Sequence, residues 1–256
     1  MTTETWCDKL ASTPTIGFQY DSAHHAGSDT LLTALSPLLD QWSTPNKSEF
    51  SITSQDSFTL NVQRENGFLY QFDPWKSSVA FQHQMRLRPT SGGLPVAEFA
   101  SEPLPFTSLL DDALEQLLDI SLMMPMAKER SVKRIGIVTT TVVTEDDLPP
   151  GILRFIKYVS RPWGQGVESY NFTIISKLRE TDNFFTRCIH TVVKPDDPVQ
   201  LMTLRFDWQK TFERPITIVR DNLFKEVVTA KNSALEYLEE VAEGNAFDEH
   251  LIKERT

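Results

Sequence analysis

Residues 132–144 read Val-Lys-Arg-Ile-Gly-Ile-Val-Thr-Thr-Thr-Val-Val-Thr and lie near the middle of a chain of 256 residues. β-branched side chains dominate this stretch, and they favour extended backbone, so the sequence predicts a strand. Pro149 and Pro150 mark the start of a helix that runs to Arg161-Pro162. Three further strands are predicted at about 167–179, 183–194 and 199–213. Asp221 then begins a long helix that Gly244 closes.

The preceding residues predict the same order of elements. A strand at 14–21 is followed by a helix with Leu31, Leu35, Leu38 and Trp42 at helical spacing, which Pro37 should kink or split. Alternating residues from 49 to 88 indicate four meandering antiparallel strands, with a turn at Glu65-Asn66-Gly67. A loop at 89–105 and a helix from Thr107 or Ser108 complete this part.

The predicted fold is therefore α+β, with two pseudo-repeated halves of strand, helix, antiparallel strands and helix. The halves are 1–125 and 126–248, and a charged tail covers 249–256. They share the order of their elements rather than residue identity. We expect each half to form a curved sheet with helices on one face, and the two sheets to share a core.

Three short pieces carry a resemblance to a known family: Pro14-Thr15-Ile16, residues 134–140 (Arg-Ile-Gly-Ile-Val-Thr-Thr) and Asn245-Ala246-Phe247. They resemble a sporadically distributed bacterial family of uncharacterised proteins of about this size, for which no activity is implied. The element order also resembles the TATA-binding-protein-like double fold. That fold presents its sheet to DNA, but fold alone does not fix function.

Charge and cysteine usage restrict the function classes. A formal net charge of −10 argues against broad nonspecific nucleic-acid binding, although a local basic patch is compatible with it. Cys7 and Cys188 are the two cysteines, which is typical of a reducing compartment. Neither a signal peptide nor a membrane-spanning run is recognisable, so the sequence predicts a cytoplasmic protein.

Candidate chemical groups each have an ordinary structural interpretation. His24-His25 lacks the spacing of a metal site, and solvated loop histidines are the favoured interpretation. Cys188 and His190 share one face of a strand, but their spacing exceeds hydrogen-bonding reach, and Cys188 is interpreted as a core residue. The acidic run Glu145-Asp146-Asp147 lacks the pattern of a calcium loop. We therefore predict no catalytic residues, no metal site and no cofactor.

An exposed interface is the site that the sequence favours. Trp and Arg dominate interface energies, and open edge strands are docking templates. Trp75 and Trp208 also lie near predicted element ends. The candidate interface residues are Arg161, Trp163, Lys128, Arg130, Lys133 and Arg134.

The sequence thus predicts a non-enzymatic bacterial subunit, adaptor or immunity-type factor of a defence system, whose partner is another protein or a second copy. One alternative is a nucleic-acid-associated subunit that uses a sheet surface. The other is a hydrolytic enzyme with a site built from distant residues. The last helix should bury a stripe through Phe224, Val228, Leu235 and Leu238.

Overall fold

A computed structural model describes most of the chain. The described residues are 5–10, 13–43, 50–83, 85–88, 96–99, 104–125, 127–160, 167–196 and 201–247. The tail at 249–256 lies outside them.

Five helices and eleven strands form in the described residues. The helices are α1 Trp6–Leu10, α2 Ser28–Ser43, α3 Phe106–Met123, α4 Pro150–Ser160 and α5 Arg220–Glu243, with a 3₁₀ turn at Glu145–Asp147. The strands are β1 Thr13–Tyr20, β2 Phe50–Gln55, β3 Leu60–Arg64, β4 Phe68–Asp73, β5 Lys76–Phe81, β6 Met85–Arg88, β7 Val96–Phe99, β8 Ser131–Val143, β9 Tyr170–Glu180, β10 Phe184–Lys194 and β11 Met202–Thr217.

Nine of these strands make one antiparallel sheet in the order β2-β3-β4-β5-β1-β8-β11-β10-β9. The first strand, β1, pairs with β8 at its centre, and Gly17 lies directly opposite Gly136. From this central pair the order runs outward in matching fashion, through β5, β4, β3 and β2 on one side and through β11, β10 and β9 on the other. The α+β class is confirmed, whereas the division at residue 125 stays a prediction.

The two faces of this sheet differ. Alternate residues of β1, such as Ile16, Phe18 and Tyr20, are buried in a core that includes side chains from α1, α2, α3 and α5. A smaller cluster joins Ile152 and Ile156 of α4 to β10 and β11. All the described helices therefore pack on one side, which we call the helix-covered face, and the other side is the open face. None of them has the length and apolar content needed to cross a membrane.

Two local expectations are wrong. Val96–Phe99 pairs with Met85–Arg88 as a separate hairpin, although the loop prediction covered this segment. This strand is only four residues long, and the Gly and Pro residues that precede it give the region the composition of a loop. Helix α2 also continues through Pro37, so the expected split is wrong, whereas the expected kink stays a prediction; Pro37 is exposed, and water can replace the lost backbone hydrogen bond.

The buried stripe of α5 differs from the predicted one. Leu223, Val227, Ala230 and Ala234 are the fully buried side chains, whereas Phe224 is 53% exposed. Leu235 and Leu238 are partly buried at the edge of the core. The two alanines explain the difference, because small side chains let the helix pack closely and the large apolar residues flank this contact line.

The two neighbours Leu223 and Phe224 provide a direct stability test. We expect Leu223→Ala to lower the free energy of unfolding by about 2–5 kcal/mol, since it leaves a cavity in the core. Phe224→Ala should change it by less than about 0.5 kcal/mol, since this ring is largely solvated. Urea denaturation of both variants measures the difference. Equal losses would mean that α5 is rotated relative to the stripe described here.

Candidate functional site

Four of the six predicted interface residues lie within the described residues, and these four do not share one exposed surface. Arg161 and Trp163 lie outside the described residues. Lys128 and Lys133 are exposed, and Arg134 is partly buried on the open face. Arg130 is only 3% exposed, so its expected exposure is wrong. The role of these residues in an interface stays a prediction.

Arg130 is buried because it completes the packing of Tyr20. Its guanidinium carbon lies 3.8 Å from the centre of the Tyr20 ring, which favours a cation–π contact. Its Nη1 donates a hydrogen bond of 3.2 Å to the carbonyl oxygen of Pro74. Burial lowers the pKa of Arg130. This arginine therefore contributes to the packing of the core.

His24 is also buried, which contradicts the prediction of two solvated histidines. Its backbone N–H donates a hydrogen bond of 3.0 Å to the carbonyl of Pro74, and this bond draws the loop under the β4–β5 turn. Burial, and then the charge of Arg130, lowers the pKa of His24. His25 is exposed, as expected. No three His, Cys, Asp or Glu side chains converge on a common point within the described residues.

Cys188 and His190 lack the properties of a nucleophile and its base. Cys188 is fully buried as predicted, and burial raises the pKa of its thiol to about 12. His190 Nε2 lies 2.9 Å from the hydroxyl oxygen of Tyr237 rather than near the sulfur. Burial lowers the pKa of His190 to about 4. Because a thiolate is the reactive form of cysteine, this pair does not support hydrolysis.

The remaining candidates have structural roles. Glu145 in the acidic run forms an ion pair of 3.0 Å with Lys194, and Asp147 accepts a hydrogen bond of 2.7 Å from Thr144 Oγ1. Trp75 is exposed at a turn, but Trp208 is 2% exposed within β11, so its expected place near an element end is wrong. The long strand β11 carries its ring into the core.

The open face is the surface that the described helices leave uncovered. Residues paired directly across neighbouring strands point to the same side of a sheet, so the strand registers define its members. They are Ser51 (β2), Asn61 and Gln63 (β3), Leu69, Gln71 and Asp73 (β4), Lys76, Ser78 and Ala80 (β5), Thr15, Gly17 and Gln19 (β1), Arg134, Gly136, Val138, Thr140 and Val142 (β8), Thr203, Arg205, Asp207, Gln209 and Thr211 (β11), Phe185, Arg187, Ile189, Thr191 and Val193 (β10), and Thr173, Ile175, Lys177 and Glu180 (β9).

A cleft of about 380 Å³ lies in the middle of the open face. Its floor is the paired Gly17 and Gly136, where neither strand has a side chain. Polar and charged side chains from β4, β5, β1, β8 and β11 form its walls, including Asp73, Lys76 and Asp207. The cleft therefore lies where the two sets of strands meet.

Two arginines meet at the β11 edge of this cleft, where Arg134 lines it and Arg187 of β10 lies next to it, on the far side of Gln209. Arg134 Nη1 donates a hydrogen bond of 2.8 Å to Gln209 Oε1, and Arg187 Nε donates to the same oxygen at 2.9 Å. Arg134 Nη2 also donates to Gln19 Oε1. Gln209 in turn donates a hydrogen bond of 2.8 Å from Nε2 to Asp207 Oδ1. Burial, followed by the charge of Arg187, lowers the pKa of Arg134.

This arrangement is suited to binding a polar or charged group. The cleft contains hydrogen-bond donors and acceptors, but its described walls have no cysteine or histidine. Two like charges held close together favour the approach of an anion. The cleft can therefore orient an anionic or hydrogen-bonding group.

Sequence reasoning identified only Arg134 among the cleft residues. A usable signal was nevertheless present, since Ile16-Gly17-Phe18 and Ile135-Gly136-Ile137 place an Ile-Gly pair in both central strands. Glycine inside a strand marks close approach of another group. Gln209 and Arg187 lie beside Arg134 only because of the strand register, and no local sequence pattern indicates that register.

No protein-family model and no curated protein matches this chain. Functional inference therefore depends on the geometry of the open face.

The low pKa of His190 predicts a loss of stability in acid. In the unfolded chain the imidazole has its ordinary pKa of 6.5, whereas in the fold its pKa is about 4. The stabilising contribution is thus present above pH 6.5 and is lost as the pH falls towards 4, by up to about 3 kcal/mol. Urea unfolding at pH 7 and pH 4.5 measures it. The His190→Gln variant, whose side chain does not titrate between pH 7 and pH 4.5, should lose less stability over this range. An NMR titration midpoint near 6.5 for His190 would contradict this prediction.

Proposed function

We propose that this chain is a non-enzymatic protein-interaction subunit or adaptor that binds another protein through its open face. The observation that carries this proposal is the unequal covering of the nine-stranded sheet. The described helices all pack on one face, and the other presents a broad surface with a central cleft. Clefts with a few converging polar groups are the usual places for ligand recognition.

The chemistry of the open face supports a protein partner. Val142 and Ile175 are 57% and 64% exposed, and threonine side chains lie beside them on the open face, Thr203 next to Val142 and Thr173 next to Ile175. Exposed apolar side chains within a polar surround are typical of surfaces that associate reversibly. The proposal extends to a cytoplasmic bacterial setting, in keeping with the family resemblance.

The two halves are also proposed to be pseudo-repeats related by an approximate twofold axis near Gly17 and Gly136. The matching strand order on either side of β1 and β8 supports this relation. The paired Ile-Gly sequences support it as well, since such an axis would exchange them. The resemblance to the TATA-binding-protein-like double fold is part of the same proposal. On this interpretation the cleft lies on the axis and draws residues from both halves.

Nucleic-acid binding is the second candidate function. The cleft region favours it through Lys76, Arg134 and Arg187, which give a local positive charge in a chain of net charge −10. Sequence-tolerant binding of single strands also depends on stacked aromatic side chains. Among the described residues of the open face, only Phe185 is aromatic. The protein partner is therefore the better supported of the two.

Site-specific photo-cross-linking tests the proposal. A benzoylphenylalanine replaces either Val142 on the open face or Phe224 on α5, two positions that are 57% and 53% exposed. After irradiation in an extract of the native host, we expect discrete protein adducts from position 142 and none from position 224. The matched exposure controls for random collision.

The nature of the adduct decides between the candidates. Adducts that lose mass on nuclease treatment would favour the nucleic-acid function. The same protein adducts from both positions would contradict docking on the open face. A single adduct of twice the mass of the chain would identify a second copy as the partner.

A further inference from the structure

Gly136 has no structural reason to be a glycine. A Cβ atom added there would have no neighbouring heavy atom within 4 Å. Its backbone is not in the left-handed region, which among the described glycines is confined to Gly67 and Gly244. Glycine is unfavourable inside a strand, where β-branched residues are preferred. The fold alone therefore does not account for this residue.

Other glycines show the contrast. A Cβ on Gly151 would lie 2.3 Å from the carbonyl oxygen of Val241, so the α4–α5 contact requires glycine. A Cβ on Gly17 would lie 3.1 Å from the carbonyl oxygen of Ser77. At Gly136 the absent side chain only keeps the floor of the cleft open. A glycine of this kind in a strand indicates that a ligand or another backbone approaches closely.

The arginine pair at the edge of this cleft has unused hydrogen-bonding capacity. A guanidinium group has five N–H donors. Within the described residues, Arg134 uses two of them, towards Gln209 and Gln19, and Arg187 uses one. Both bind a neutral amide oxygen, and neither forms an ion pair with a described carboxylate. A bound carboxylate would accept charge-assisted hydrogen bonds from both.

We propose that the cleft over Gly136 holds an extended, acidic segment of the partner protein, with one aspartate or glutamate carboxylate bound by Arg134 and Arg187. This inference rests on the proposed function and names the chemistry of the partner. The peptide main chain lies against the glycine floor, where a side chain would block it. Gln209 Oε1 accepts a hydrogen bond from each arginine and so holds the two side by side, and Asp207 accepts a hydrogen bond from the amide of Gln209.

The cleft fits a carboxylate segment better than a phosphate chain. Asp73 and Asp207 stand in its walls beside Lys76 and Arg134, so the local excess of positive charge is small. A phosphate chain carries one charge per nucleotide and needs a continuous basic track. A peptide can place one carboxylate on the arginine pair and hydrogen-bond its amides to glutamine, serine and threonine side chains in the same cleft.

Fluorescence anisotropy with defined probes tests this inference. The probes are fluorescein-labelled decaglutamate, a labelled Gly-Ser decapeptide of equal length and a labelled ten-nucleotide oligothymidylate, all at low salt. The full chain is compared with Gly136→Val, the double variant Arg134→Gln/Arg187→Gln, and Ser51→Val. Ser51→Val is the control, because it also places a valine on the open face, but outside the cleft. Urea denaturation midpoints are measured for every variant.

We expect decaglutamate to bind and the Gly-Ser peptide to bind weakly. Gly136→Val should weaken decaglutamate binding by about tenfold or more, as expected for loss of a central contact, while its denaturation midpoint stays equal or rises. The double arginine variant should lose binding to a similar extent, and Ser51→Val should retain it.

Four results would overturn the inference. Decaglutamate binding that survives in Gly136→Val would place the peptide elsewhere. A clear drop in the denaturation midpoint of Gly136→Val would show that the fold itself requires this glycine. Stronger binding of the oligothymidylate than of decaglutamate would show that the cleft binds nucleic acid rather than an acidic peptide. Absence of decaglutamate binding, together with protein adducts from position 142, would reject this ligand and leave docking on the open face intact.

Discussion

The antiparallel pairing of β1 with β8 is the interaction on which the rest of this structure depends. It joins the strands of the first part of the chain, β1–β5, to those of the second part, β8–β11, in one nine-stranded sheet, with Gly17 opposite Gly136. Without it the sheet would have two exposed edges in its middle, and neither the core nor the cleft would be complete. The same pairing places Ile16 and Ile137 together on the helix-covered face, so one register sets both the core and the open face.

Elements whose signals are local could be predicted from the sequence. The turn at Asn66-Gly67 is one example, since Gly67 adopts a φ of 98° that other residues rarely adopt. The end of α5 is another, because Gly244 has a φ of 94° and its N–H bonds the carbonyl of Glu240. Most of the predicted strands also lie at the predicted positions, since the alternation of apolar and polar residues reflects burial on one side of a sheet.

Features that depend on tertiary packing could not be predicted in this way. The buried face of α5 follows from close approach at Ala230 and Ala234, which large apolar neighbours concealed. Arg130 and His24 are buried because backbone groups of the β4–β5 turn bind them. The cleft is the extreme case, since Gln19, Arg134, Arg187 and Gln209 come from four strands. Only the pairing register brings them together.

Charge is distributed unequally between the helix-covered face and the open face. The helices carry most of the net negative charge, since α2, α3 and α5 hold twelve Asp and Glu residues and only three Lys and Arg residues. The arginine pair is on the opposite side of the sheet, beside a floor without side chains. An acidic partner is therefore repelled by the helices, whereas the arginine pair beside the cleft offers it a binding point. Such a difference in charge between the two faces determines which partner binds and in which orientation, more than it increases the affinity. A net charge of −10 and a binding face for anions are thus compatible, because the sheet separates the two kinds of surface.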